Sequence, residues 1–161
     1  MSPKRVLGFA LAGGGAVILN STYNSYLVAG AALSALAALL HIGCIVFGAP
    51  WYRFFGAGER MAQLAAAGSA FPAVVTACIA TVLMVWAVYA LSGAGVIARL
   101  PLLKPVLLVI TGIYLLRGAA VLPMSAMMPG RSSAFWWWSS GICFAIGLVH
   151  AIGLGSAWET L

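Results

Sequence analysis

The chain contains no aspartate, and its only carboxylate side chains are Glu59 and Glu159. Neither falls inside an apolar stretch, so the acidic relay of a carboxylate-driven proton antiporter is missing. A Ser-His-Asp catalytic set is excluded with the aspartate. The sequence also has no Walker phosphate loop and no His-Glu-x-x-His helix of a zinc protease. Cysteine is scarce: Cys44, Cys78 and Cys143 lie singly in apolar stretches without a Cys-x-x-Cys pair, where cysteine behaves as a small hydrophobe. Charge of either sign is rare, at 6% of 161 residues, against roughly 25% in a soluble domain.

Apolar surface is what the chain has in abundance. Hydrophobic residues make up 64% of it and the mean hydropathy is +1.10. Too little polar surface remains to cover a globule in water, so the chain reads as an integral membrane protein. Its formal charge of +6 comes from eight Lys and Arg scattered singly over loops and helix ends. That pattern suits headgroup contacts and topology signals. With neither a basic stripe nor a stacking platform, nucleic acid is not an expected partner.

Four stretches reach the ~20 apolar residues that span a hydrocarbon core: 26–49, ending at Pro50; 71–92, with Pro72 in its first turn and Gly93-Ala94-Gly95 after it; 105–122 or longer, with Pro123 at its end; and 135–158. The expected fold is an all-α polytopic transmembrane helix bundle in a single domain, 1–161, with four core helices. A shorter run, 6–19, is marginal in length and contains Gly13-Gly14-Gly15. It reads as a short fifth span, a re-entrant segment or an interfacial helix. If it crosses, Lys4, Arg5, Arg53, Arg60 and Arg131 share the cytoplasmic side and Arg99 and Lys104 do not, which the positive-inside rule favours. Span length favours four crossings.

Aromatic residues mark the expected boundaries: Trp51-Tyr52 after the first span, Trp136-Trp137-Trp138 at the start of the last and Trp158 at its end. Trp and Tyr favour the headgroup level. Between the first two spans, Glu59 precedes Met61-Ala62-Gln63-Leu64-Ala65-Ala66-Ala67, which reads as one or two helical turns lying on the membrane, its dipole matched by Glu59.

Polar residues within the spans locate a candidate site. Gly30, Ser34, Ala37, His41 and Gly48 fall on one side of the first span; Ser139, Cys143, Gly147, His150 and Gly153 fall on one side of the last. A polar group at membrane depth is costly unless it faces protein or water, so both stripes are expected to face the bundle interior. Thr111, Tyr114 and Arg117 recur every three residues on the third span, and an interior Arg117 needs an anion: Glu59, a lipid phosphate or an acidic substrate. The expected binding set is His41, Glu59, Arg60, Tyr114, Arg117 and His150, with Glu59 and Arg60 at its mouth. On helix 71–92 the small residues Ala73, Thr76, Ala80, Ala87 and Ala90 share a face that allows close helix approach.

No cofactor is favoured. Antiparallel threading puts His41 and His150 in opposite leaflets, roughly 12 Å apart along the normal at 1.5 Å per residue, too far to share one haem iron. His41 with Cys44, Cys143, and Met124, Met127 and Met128 make up a copper-tolerant composition, though Met and Cys are common fillers in apolar helices. No metal site is assigned.

His41 near the end of the first core helix, the Gly58-Glu59-Arg60 turn after it and the late His150 resemble small four-helix bacterial inner-membrane proteins without a settled activity. The resemblance covers 34–70 and the last helix, and it implies architecture and an inner-membrane location only. Three functions stay open from the sequence: a non-enzymatic accessory subunit or binder of lipid or a small amphipathic molecule; a membrane enzyme on a lipid-soluble anionic substrate, with Arg117 holding the anion and a histidine transferring protons; and a channel or carrier component. So small a water-exposed mass also predicts a homo-oligomer or membership of a membrane complex.

Overall fold

Asn24 opens the first helix by accepting a hydrogen bond from the Leu27 amide at 3.1 Å, and its own amide donates to Ala94 O at 3.0 Å. The computed structural model describes residues 23–120 and 133–161. The run 6–19, Lys4, Arg5, Arg131 and the methionines 124, 127 and 128 lie outside them. Within the described residues the chain is all-helical: α1 (Ser25–Phe47), α2 (Ala49–Phe54), α3 (Glu59–Ala66), α4 (Phe71–Gly93), α5 (Leu103–Ala119) and α6 (Ser133–Ser156).

The expected all-α bundle is formed by α1, α4, α5 and α6. Three helices are long and apolar enough to cross a membrane, namely α1, α4 and, over Phe135–Ser156, α6. Helix α5 has 17 residues and packs alongside them. The first span stops short of Pro50: Gly48 takes φ 67, which a residue with a Cβ rarely adopts, and Pro50 instead opens α2 in its first turn.

Helix order is up-down-up-down, and the neighbours are α1 with α4, α4 with α5, α5 with α6 and α6 with α1. The most extensive packing is within α1–α4 and within α5–α6, so the bundle is two helical pairs joined along a seam. Between α1 and α4 the inward residues are mostly small, and many large apolar residues face outward. Ala31, Ala87 and Ala90 form a contact between α1 and α4, while Leu36, Leu39, Val46 and Val74 stand more than half exposed. This arrangement is the reverse of a soluble globule and is what lipid as solvent selects: side chains as apolar as lipid tails gain nothing by leaving them, whereas small residues let backbones approach. The chain is a membrane protein.

The two ends of the bundle differ. At the capped end α2 and α3 fold over the ends of α1 and α4, with Cys44, Tyr52 and Ala62 buried together and Tyr52 Oη donating to Thr76 Oγ1 at 3.1 Å. At the open end, where α1 and α5 begin and α4 and α6 finish, Ser92 Oγ donates to Ala98 O and accepts from the Leu100 amide, both at 3.0 Å. These bonds hold the turn that joins the two pairs.

Candidate functional site

The inward stripes converge at three levels, and the six residues expected to form one site divide among them. Nearest the open end, the His150 ring is wholly buried and lies against Gly30 of α1: a Cβ on Gly30 would come within 2.7 Å of His150 Cε1. The ring packs at a 33° tilt on Tyr114, centroid to centroid 5.3 Å, and Tyr114 in turn meets Trp86 of α4 edge-on at 4.9 Å. Tyr114 Oη shares a hydrogen bond with Ser34 Oγ at 2.9 Å. Residues of all four core helices therefore meet around His150 and Tyr114.

The geometry fixes the tautomer of His150. Nδ1 lies 2.9 Å from Ile146 O, and a carbonyl only accepts, so Nδ1 carries the hydrogen. A neutral imidazole then presents a lone pair at Nε2, which is buried with no hydrogen-bond partner among the described residues. A buried polar group left unmatched costs about 1–3 kcal/mol. His41 is held the same way, with Nδ1 donating to Ala37 O at 2.7 Å, but it is only half-buried.

His41 and His150 are not brought together. Gly30 lies level with His150, and His41 is eleven residues further along α1, about 16 Å at 1.5 Å per residue. The separation exceeds the ~12 Å expected from span centres. Ser34 and Ala38, not His41, continue the fully buried face of α1, and His41 falls to one side of it.

Arg117 occupies the second level. Its guanidinium donates to Ser140 Oγ at 3.0 Å and Ser139 Oγ at 2.7 Å, and lies 5.6 Å from the ring centroid of Trp136. Trp136 alone of the three tryptophans faces into the bundle. It is 1% exposed beneath Arg117, while Trp137 and Trp138 are 62% and 75% exposed on the outer face of α6. Trp137 and Trp138 line a shallow apolar groove of about 500 Å³ with Gly141, Ile142 and Ala145.

Glu59 is not the counter-ion of Arg117. It belongs to the third level, on the surface of the capped end, where it pairs with Arg53: Arg53 Nη2 to Glu59 Oε1 is 2.9 Å and Arg53 Nε to Oε2 is 3.1 Å. The hydrogen bond from Arg53, with the charge of its guanidinium, holds the Glu59 carboxyl below the usual carboxylate range. The Arg53 partner was not foreseen; its spacing six residues before Glu59, across a Gly-rich turn, gave no helical signal. Arg60, beside Glu59, is exposed.

The chain's other glutamate, Glu159, lies at the open end, beyond α6. Arg117 thus stands half-buried in an apolar bundle, and neither glutamate reaches it. Its two bonds to serine leave three of five guanidinium N–H groups for other partners. No group of three His, Cys, Asp or Glu is placed to share a metal ion among the described residues. The chain matches no family model, no curated protein and no solved structure.

A cavity of about 550 Å³ opens at the open end, lined in part by Asn24, Ser92, Arg99, Leu103, Ser156 and Thr160. Asn24 Nδ2 reaches across the seam to Gly153 O at 2.8 Å and Ser156 Oγ at 2.9 Å, and Arg99 donates to Thr160 O at 3.3 Å. Lys104 is engaged at the rim by Trp158, through its carbonyl at 2.9 Å and its ring at 3.9 Å.

Proposed function

We propose that this chain is a non-enzymatic protein of a bacterial inner membrane that binds an anionic amphiphile at Arg117. The supporting observation is the charge balance around that residue: a half-buried cation in the last turn of α5, held by two hydroxyls and an indole, in a chain whose two carboxylate side chains are engaged or distant. A guanidinium inside an apolar bundle is stabilised by an anion more than by neutral hydroxyls, since charge-assisted bonds are about twice as strong. The anion comes from outside the chain, and in a membrane the abundant source is a phosphate-bearing lipid headgroup. The resemblance at His41 and Gly58-Glu59-Arg60 supports the inner-membrane location, and the small water-exposed mass supports a homo-oligomer or a subunit of a larger complex.

Native mass spectrometry from mild detergent tests this directly. Wild-type protein should carry anionic phospholipid in preference to zwitterionic lipid, and Arg117→Ala should weaken that retention about tenfold or more, as loss of a charge-assisted contact implies. Undiminished retention in Arg117→Ala would overturn the proposal. The same spectra report the oligomeric state.

A further inference from the structure

We infer that His150 is a proton-binding site inside the bundle, loaded at Nε2 from the open-end cavity past Leu27. It stands apart from the Arg117 reading, on different residues and at a different level. Three observations carry it. Ile146 O holds the Nδ1 hydrogen, so the free valence of the ring is the Nε2 lone pair, which is wholly buried and unmatched by any protein donor among the described residues. A buried side chain that serves only packing would have no reason to present such an acceptor. A proton is the one ligand that needs no cavity around it, and the ring has none to spare on the Gly30 side.

Burial opposes the charged form, and one contact of the ring offsets part of that cost. The Tyr114 ring lies beside the imidazole at 5.3 Å, so an imidazolium there faces a π-system, which attracts cations. Of the elements packed around it, α1 contributes Gly30 and Ser34, α4 contributes Trp86 through Tyr114, and α5 contributes Tyr114, whose phenol is engaged with Ser34. On α6 itself the nearest titratable neighbour is Cys143, two turns away, which packs on the same core cluster. The nearest formal charge along α5 is Arg117, one turn beyond Tyr114 toward the capped end, bound to Ser139 and Ser140.

Access is from the other side. Leu27 is fully buried one turn closer to the open end than Gly30, and it packs on Gly153 of α6 and Gly93 of α4. Gly93 lines the cavity. One leucine layer, completed by Leu107 against Gly93, therefore separates water-accessible space from the imidazole. A rotamer change of Leu27 admits water. Protonation then forms Nε2–H, breaks an H–O bond of a hydronium ion delivered through the cavity, and leaves water with an imidazolium bearing both N–H groups.

Deuterium exchange at the imidazole Cε1–H, read by mass spectrometry residue by residue, tests the inference in the full chain, in nanodiscs. That exchange proceeds through the protonated ring, so its rate depends on pH in a ring that titrates. His150 should exchange with a sigmoidal dependence on pH, with half-buried His41 in the same protein as the internal reference. Leu27→Ala should speed His150 exchange about tenfold or more by removing the layer, leaving His41 unchanged; Leu27→Val serves should the larger truncation fail to fold. A His150 that does not exchange, or exchanges without pH dependence, while His41 does, overturns the proton site. Exchange unaltered by shortening Leu27 overturns the route.

Discussion

Among single residues a close constraint lies between Gly30 and His150, where a methyl on Gly30 would approach Cε1 to 2.7 Å. Gly30→Ala should therefore destabilise the bundle by about 1–3 kcal/mol, the usual cost of overpacking. His150→Ala vacates that space, so combining the two should give a protein more stable than the sum of the single changes predicts, a coupling readable in a double-mutant cycle of unfolding in detergent. Strict additivity would show that the two residues do not meet. The same scale explains why the inward turn of Trp136 was not foreseen. Three successive tryptophans on a helix point in three directions, and nothing in the triplet says which one turns inward. Arg117 decides it, from a different helix, and that contact is not written in the spacing of the triplet.

For individual elements, the short helices α2 and α3 depend on a few polar contacts more than on area. Tyr52→Phe keeps the buried ring and removes the hydroxyl that donates to Thr76 Oγ1, and should cost about 1 kcal/mol in unfolding measurements. The Arg53–Glu59 pair adds a pH dependence. The folded state holds Glu59 below its unfolded value of about 4.3, so the pair's contribution is present above that value and is lost as pH falls through the folded one. Both partners are well exposed, which keeps the effect small. The thermal stabilities of wild type and Glu59→Gln should differ at neutral pH and converge below about pH 4; a constant gap would show that Glu59 acts otherwise.

Long elements were legible in the sequence to within a few residues, because apolar length and the Pro72 and Gly93 signals act locally. The end of α1 was read two residues late, since Gly48 rather than Pro50 stops it through its positive φ. Which face of each helix turns inward was only partly legible. α1 is apolar all round, and the guide is the line of small residues Gly30, Ala31, Ser34 and Ala38, which passes His41 to one side. Tyr114 and His150 met as shared polar faces imply, whereas the Arg53–Glu59 pair and the Leu27 layer depend on tertiary turns that periodicity does not encode.

Across the whole molecule, the described loops place Arg53 and Arg60 at the capped end and Arg99 and Lys104 at the open end. If the run 6–19 crosses, as the sequence allows, the positive-inside rule puts the capped end on the cytoplasmic side. In that orientation Arg60→Cys, in a background lacking Cys44, Cys78 and Cys143, should react with an impermeant thiol reagent only after the cells are opened. Labelling in intact cells would reverse the orientation and place the open-end cavity toward the cytoplasm.

The division into α1–α4 and α5–α6 has a practical meaning for how the chain can be handled. Only the turn after Gly95, braced by Ser92, connects the two pairs covalently. A gene interrupted there would encode two fragments, each a helical pair able to insert by itself. Their reassembly would depend on the cross-seam bonds from Asn24, Ser34 and Tyr114. Fragment complementation in cells would thus isolate the recognition between the pairs from the stability of either, and turn the polar seam into a selectable trait.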